Sequence, residues 1–364
     1  MTARNSNRQR EVALSVLNII FCFLVMFIHV SSEPVMQLDR GTWQAAGLTF
    51  FWRCASFVVP GFLFLSGLKL FLRPERVPSS PRGYLSYICR RYETILRPYL
   101  FAVLIYYCFF AAVPYYSYRL SLSDYIRYVV VGDLVSHFYY IVILVQFTLL
   151  LPLWTMLVRH VRARYVIPSA FLVTLVFAFL PGRFTGFAYY DRVFPTYLVY
   201  WLVGCYCGAH WDKVRKFCSG GRRFIIYAIT AAAIIADPLL YTLKTAGTVT
   251  FPTSFTAIHV LYCLAAVAGI FVVSIRLFGQ VSALPRPLDA FDRASYDVYL
   301  WHCLVIYIVN LFMTDRVESI GARYEIRAAV VMLGTPVLCI FYRFLRSRII
   351  KWANMREVPI EKSR

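Results

Sequence analysis

The chain has 364 residues, 60% of them hydrophobic, 18% aromatic and only 15% charged, with a mean hydropathy of +0.62. A soluble domain carries about a quarter charged residues, so this composition excludes an ordinary soluble fold and assigns the surplus apolar surface to lipid. The formal net charge of +20 would suit a nucleic-acid binder, but the placement of the basic residues excludes that reading.

Ten apolar runs follow one another, most of them near the roughly 20 residues that cross a bilayer as a helix. They cover Val12 to Ser31, Leu48 to Leu72, Pro98 to Val113, Phe138 to Val158, Tyr165 to Pro181, Phe194 to His210, Arg223 to Tyr241, Thr256 to Phe278, Tyr296 to Met313 and Arg327 to Ile350. The third and sixth are short for a span. With the N-terminus inside, and with span ends counted with the segments they join, the six inner segments hold 27 of the 38 Lys and Arg residues and the five outer loops nine, while Arg53 and Lys69 fall within the second run. That is the positive-inside skew. The expected fold is an all-α polytopic bundle of about ten transmembrane helices with both termini cytoplasmic. It forms one domain over 1–364 (core about 12–350) in the cell membrane. The basic groups Arg90, Arg91 and Arg97, and Lys213 to Arg223, are topology signals first and binders of anionic headgroups or a phosphate-bearing cosubstrate second.

His29 closes the first run. An ionisable group in an apolar span is tolerated when it has work or a polar partner, and histidine exchanges protons near neutral pH. Arg53 enters the second run about a turn and a half in. It either snorkels or faces the interior, where it pairs with an anion. His29 and Arg53 both lie near outer span ends. So does His137, which opens the fourth run beside Tyr139 and Tyr140; Gln146, in mid-run, requires an interior partner. Asp237-Pro238 breaks the seventh run, marking either a cavity or an outer helix end. In the ninth run Tyr296, Tyr299 and His302 recur at three-residue steps on one slowly drifting face. A helix starting where that run starts puts His302 about two turns from the inner surface and His29 about 18 residues from it. Their depths then differ by about 15 to 20 Å in straight upright helices, so either tilt and kinks bring them closer or, the reading adopted, His302 stands in a separate centre. His160, His210 and His259 look ordinary. The ten cysteines are scattered through apolar runs and imply neither a disulfide framework nor a metal site.

Three segments together resemble acyltransferase family 3, integral membrane proteins that modify envelope polysaccharides, lipids and related acceptors. The first is the helix from Asn18 that ends on His29. The second, Val59-Pro-Gly-Phe-Leu-Phe-Leu-Ser66-Gly67, is similar to the family's VPxFFxxSG helix. The third, Ser295-Tyr-Asp-Val-Tyr299-Leu-Trp-His302, is similar to its SxxxYLxH segment. Arg90 to Pro98 resembles the basic entry to the third span. The chain departs from the family pattern at Asn18 and Thr94, where many members carry arginine, and at Tyr139-Tyr140, where many carry Trp-Phe.

The resemblance implies a membrane-bound O-acyltransferase, with O-acetylation of an envelope polysaccharide, lipid-linked sugar or related hydroxyl acceptor. It implies His29 as essential base and acyl-CoA (acetyl-CoA) as cosubstrate, with no permanently bound cofactor. In this reading Arg53 assists catalysis, and Arg90, Arg91, Arg97 and His302 hold CoA. The acceptor is met by His137, Tyr139, Tyr140 and Tyr299. The expected partners are membrane lipids, acyl-CoA and the acceptor, not nucleic acid. A transporter or flippase of an envelope polymer or lipid is the rival reading, and a non-catalytic scaffold the third. Whether the acyl group is delivered directly across the membrane or relayed stays open.

Overall fold

A computed structural model describes residues 3–356 except 74–76, 79, 180–188 and 251–254. Every described element is helical. In chain order the α-helices are α1 Ala3–Gln37, α2 Trp43–Ala55, α3 Val58–Phe71, α4 Pro81–Arg91, α5 Arg97–Ala112, α6 Leu122–Val131, α7 Tyr139–Leu149, α8 Leu151–His160, α9 Ala163–Phe179, α10 Leu198–Ala209, α11 Trp211–Ser219, α12 Arg223–Ile234, α13 Leu240–Thr245, α14 Thr256–Phe278, α15 Arg286–Met313, α16 Ile320–Ala329 and α17 Thr335–Arg356. The end of the fifth apolar run, and part of the segment Arg73 to Arg82 that follows the second run and is rich in Pro, Ser and Arg, lie outside the described residues.

Seven of these units are long and apolar enough to cross a membrane: Glu11–Gln37, Trp43–Phe71, Pro81–Ala112, Arg223–Thr245, Thr256–Phe278, Arg286–Met313 and Ile320–Ile350. The fourth apolar run is a helix pair, α7 and α8, bent by 60°, with Pro152 in the first turn of α8. Counting that pair as one span gives eight. The fifth and sixth runs become α9, of 17 residues, and α10, of 12, which are short of a full crossing by themselves. Three spans carry a π turn, at Tyr92–Leu96, Ile235–Leu239 and Val330–Gly334. The middle one contains Asp237 and Pro238, where the missing proline N–H loosens the ladder.

Backbone proximity fixes the centre of the bundle. A Cβ at Gly204 would stand 2.1 Å from the Phe64 carbonyl oxygen, one at Gly208 2.4 Å from that of Leu68, and one at Gly67 2.6 Å from that of Trp201. Thus α3 and α10 run parallel in continuous backbone contact, as small residues permit between membrane helices. α1 and α15 are a second parallel pair. The Asn18 amide donates to Asp292 Oδ1 and to Ser295 Oγ, both at 2.8 Å, and Ser15 Oγ donates to Asp292 Oδ2 at 2.6 Å. Further along the same two helices, buried Arg327 from α16 clamps them. Its guanidinium pairs with Glu33 and donates to Asn310 Oδ1 at 2.8 Å and the Val30 carbonyl at 3.3 Å.

Candidate active site

The register of α1 and α15 brings three histidines together. The His29 and His302 ring centroids are 5.2 Å apart, His137 and His302 4.8 Å, and His29 and His137 5.7 Å. The expectation that His302 stands in a separate centre is therefore overturned. Its source is the start of α15. The apolar run begins at Tyr296, but the helix begins ten residues earlier, at Arg286. Polar residues extend it, because helix hydrogen bonds are local and do not stop at the edge of an apolar run. His302 then lies about 24 Å along its helix from Arg286 and His29 about 27 Å along its own from Glu11, so the depths match.

The three rings are held differently. His302 is fully buried, and its Nδ1 faces the carbonyls of Tyr299 at 2.8 Å and Val298 at 3.1 Å. A carbonyl only accepts, so Nδ1 carries the proton and Nε2 presents a lone pair; Cys303 Sγ lies 3.3 Å from it. The Tyr299 hydroxyl donates to the His137 carbonyl and so fixes the turn leading into α7. Tyr106 fixes α15 from the other side, accepting from Leu304 N at 2.7 Å and donating to the Leu300 carbonyl at 2.9 Å. His137 is 2% exposed, and neither of its ring nitrogens has a hydrogen-bond partner among the described residues. Such a group is costly to bury and calls for an account beyond packing. His29 is only half-buried, with Ser136 Oγ 3.4 Å from its Nδ1. It is the least buried member of the trio.

Arg53 sits in a second constellation. Its Nε and Nη2 each donate to Asp237 at 2.8 Å, a bidentate pair, and Tyr241 lies under the guanidinium at 4.4 Å. Arg53 is 14% exposed and Asp237 not at all. The cation thus faces inwards, with its charge met by the residue that interrupts the seventh apolar run. His259 Nδ1 is 3.1 Å from Asp237 Oδ2 and its Nε2 3.5 Å from Cys263 Sγ. Arg53 and His259, with Tyr139, Tyr190, Tyr197 and Tyr200, line a cavity of about 450 Å³. His259 looked ordinary in sequence; only its partner, 22 residues away across a loop, gives it a place in a site.

The other candidates divide. Tyr139 lines the Arg53 cavity, while Tyr140 packs on Tyr299 with ring centroids 5.5 Å apart, so adjacent residues serve the two constellations. Arg90, Arg91 and Arg97 are far from either in chain position and bind locally. Arg90 Nη1 donates to Ser86 Oγ at 2.7 Å, Arg91 Nε to the Tyr87 hydroxyl at 3.1 Å and Arg97 Nη1 to Glu93 Oε2 at 2.9 Å. Gln146 finds its interior partners in the Arg192 carbonyl and the Phe194 N–H, at 2.7 and 2.9 Å. His29, His302 and Cys303 each offer one donor atom within 4.8 Å of the others. Two imidazoles and a thiol suit a soft divalent ion, a grouping that sequence spacing did not announce.

The order of the segments carrying His29, Pro60-Gly61, Ser66-Gly67 and His302, and now their convergence, point to one family. The sequence profile of acyltransferase family 3, described as an acyltransferase domain, matches residues 11–350. The chain belongs to acyltransferase family 3. No curated protein and no solved structure matches it. As a family 3 acyltransferase it is an enzyme that transfers acyl groups other than aminoacyl groups, and its seven long apolar helices make it a multi-pass membrane protein.

Proposed function

We propose that this acyltransferase moves an acyl group, acetyl in the simplest case, from acyl-CoA to a hydroxyl of an envelope polysaccharide, lipid-linked sugar or related acceptor. It does so as a ten-crossing protein of the cell membrane with both termini in the cytoplasm. The observation that carries this reading is the meeting of three histidines in an apolar interior, with His29 the least buried of them.

His29 takes the proton of the acceptor hydroxyl as its oxygen attacks the thioester carbonyl. The new carbon–oxygen bond forms, the carbon–sulfur bond breaks, and the proton passes from His29 to the departing thiolate. His302 and His137 flank the reacting atoms, and Tyr299 positions His137 through its carbonyl. Arg90, Arg91 and Arg97 meet the CoA phosphates at the membrane surface. The pantetheine arm then threads inwards along α1. The tyrosine-lined cavity beside Arg53 receives the acceptor. There the Arg53–Asp237 pair cancels its own charge, which favours a neutral polyhydroxyl over an anion. Arg53 thus acts on acceptor placement.

The test is acyl transfer from labelled acetyl-CoA to an envelope glycan fraction by the purified chain in proteoliposomes. His29→Ala of confirmed folding is expected to lose transfer. Full activity in that variant rules out the base assignment.

A further inference from the structure

A second cavity meets the Arg53 cavity at Tyr200, which lines both. It is an apolar slot of about 480 Å³ whose lining includes Phe64, Val203, Leu264, Val267 and Phe271, with His210 and Lys213 also on its wall. None of His29, His137, His302 or Arg53 lines it. His210 caps the end of α10 and Lys213 stands in the first turn of α11, so the polar end of the slot is where α10 finishes.

α11 has 9 residues, too few to cross a membrane. Its Lys213, Val214, Phe217 and Cys218 line the slot, whereas Asp212 and Lys216 do not and are exposed. A short helix with an apolar side on the bundle and polar residues turned out lies along the membrane surface. Arg223 is committed to the backbone, donating to the Ser219 and Gly220 carbonyls at 3.0 and 2.9 Å. Lys213 is the cation that lines the slot itself.

We infer that this slot holds one acyl chain of an anionic glycerophospholipid, with its phosphate on Lys213. The apolar wall matches a hydrocarbon chain, and a lysine at its polar end matches one negative headgroup. The slot also backs onto α10, whose opposite side is locked to α3, so a bound chain would brace the central helix pair. This inference is independent of the acyl-transfer reading.

Native mass spectrometry of the full chain decides it, with phosphatidylglycerol and phosphatidylcholine of identical chains supplied together. Preferential retention of phosphatidylglycerol is expected. Lys213→Ala should weaken that retention about fivefold, the effect of one basic residue at a membrane surface, and Lys213→Arg should restore it. Ala268→Trp, which fills the slot, should reduce retention of both lipids. Where Ala268→Trp does not fold, the Lys213 pair carries the test alone. Equal retention of the two lipids, or unchanged phosphatidylglycerol retention in Lys213→Ala, overturns the inference. Displacement of the lipid by long-chain acyl-CoA also overturns it, assigning the slot to the donor.

Discussion

His29 and His302 face each other with ring centroids 5.2 Å apart, brought there by two helices that run parallel and are bolted together at Asn18, Asp292 and Ser295. In the proposed mechanism His29 is the reactive member and the other two are its frame. His29→Ala should lower the acyl-transfer rate by about 10²- to 10⁴-fold, the range of a lost general base. Circular dichroism and thermal unfolding should stay near those of the parent. Tyr299→Phe should act on the same centre more gently. It removes one hydrogen bond, worth about 1 kcal/mol, and should lower kcat more than KM because it loosens His137 without removing a group that binds substrate.

The Arg53–Asp237 pair is a buried charge pair in an apolar bundle, and its two halves are not independent. Removing Asp237 leaves the Arg53 charge unmet and removing Arg53 leaves Asp237 with His259 as its remaining partner, at about 3–5 kcal/mol for the worse of the two. Arg53→Met and Asp237→Leu should each lower the thermal midpoint sharply. The double variant should recover most of that stability, since neither charge is left uncompensated. A double variant as unstable as the sum of the singles would show that the pair is not the dominant partner of either residue.

Asn18 stands where many family members carry arginine, and in this chain it spans Asp292 and Ser295. Asn18→Ala leaves Asp292 with Ser15 as its remaining side-chain donor among these contacts. It should cost about 1–3 kcal/mol, read as a lower unfolding midpoint in detergent. Asn18→Asp should be worse, because it sets a second carboxylate against Asp292.

Gly204 leaves no space for a side chain. A Cβ there would meet the Phe64 carbonyl oxygen at 2.1 Å, and turning a side chain cannot relieve that clash, because the obstacle is backbone. Gly204→Ala should force α3 and α10 apart at a cost of about 1–3 kcal/mol, and Gly204→Leu should abolish accumulation of folded protein. Gly221, where a Cβ would have nothing within 4 Å, should accept alanine without loss.

Cys218 and Cys89 offer a contrast in thiol reactivity. Cys218, in the surface helix α11, is 1% exposed, and burial pushes its thiol up to about 11. The thiolate is the reactive form, so a maleimide should spare the buried Cys218 at neutral pH and label it only once denaturant opens the fold. Cys89 is exposed, one residue before Arg90, and should react at neutral pH. Labelling of Cys89 from the cytoplasmic side alone would also test the proposed orientation of the chain.

Much of this molecule was written in its hydropathy. Apolar runs mark the helices because lipid leaves a backbone no other way to satisfy its hydrogen bonds, and an ionisable residue inside such a run marks a site. His29, Arg53 and the Asp237-Pro238 break were all visible in that way. Helix ends were not. The first ten residues of α15 include Arg286, Asp289, Asp292 and Arg293 and lie outside the apolar run, yet they continue the helix, and that extension carried His302 to the depth of His29.

Partners distant in sequence were equally hidden. Arg53 lies 184 residues from Asp237 and Glu33 294 from Arg327, and hydropathy is blind to which helix packs on which. The spacing Gly204-Cys-Tyr-Cys-Gly208 is a small-residue motif that could have pointed to α10 as a packing helix, but not to α3 as its partner. The sequence by itself determined that the chain lives in a membrane as helices and which apolar segments hold ionisable residues, because both follow from local composition. Only the tertiary structure decided that three histidines form one centre and that Arg53 belongs to another, because register and pairing are set by contacts between helices far apart along the chain.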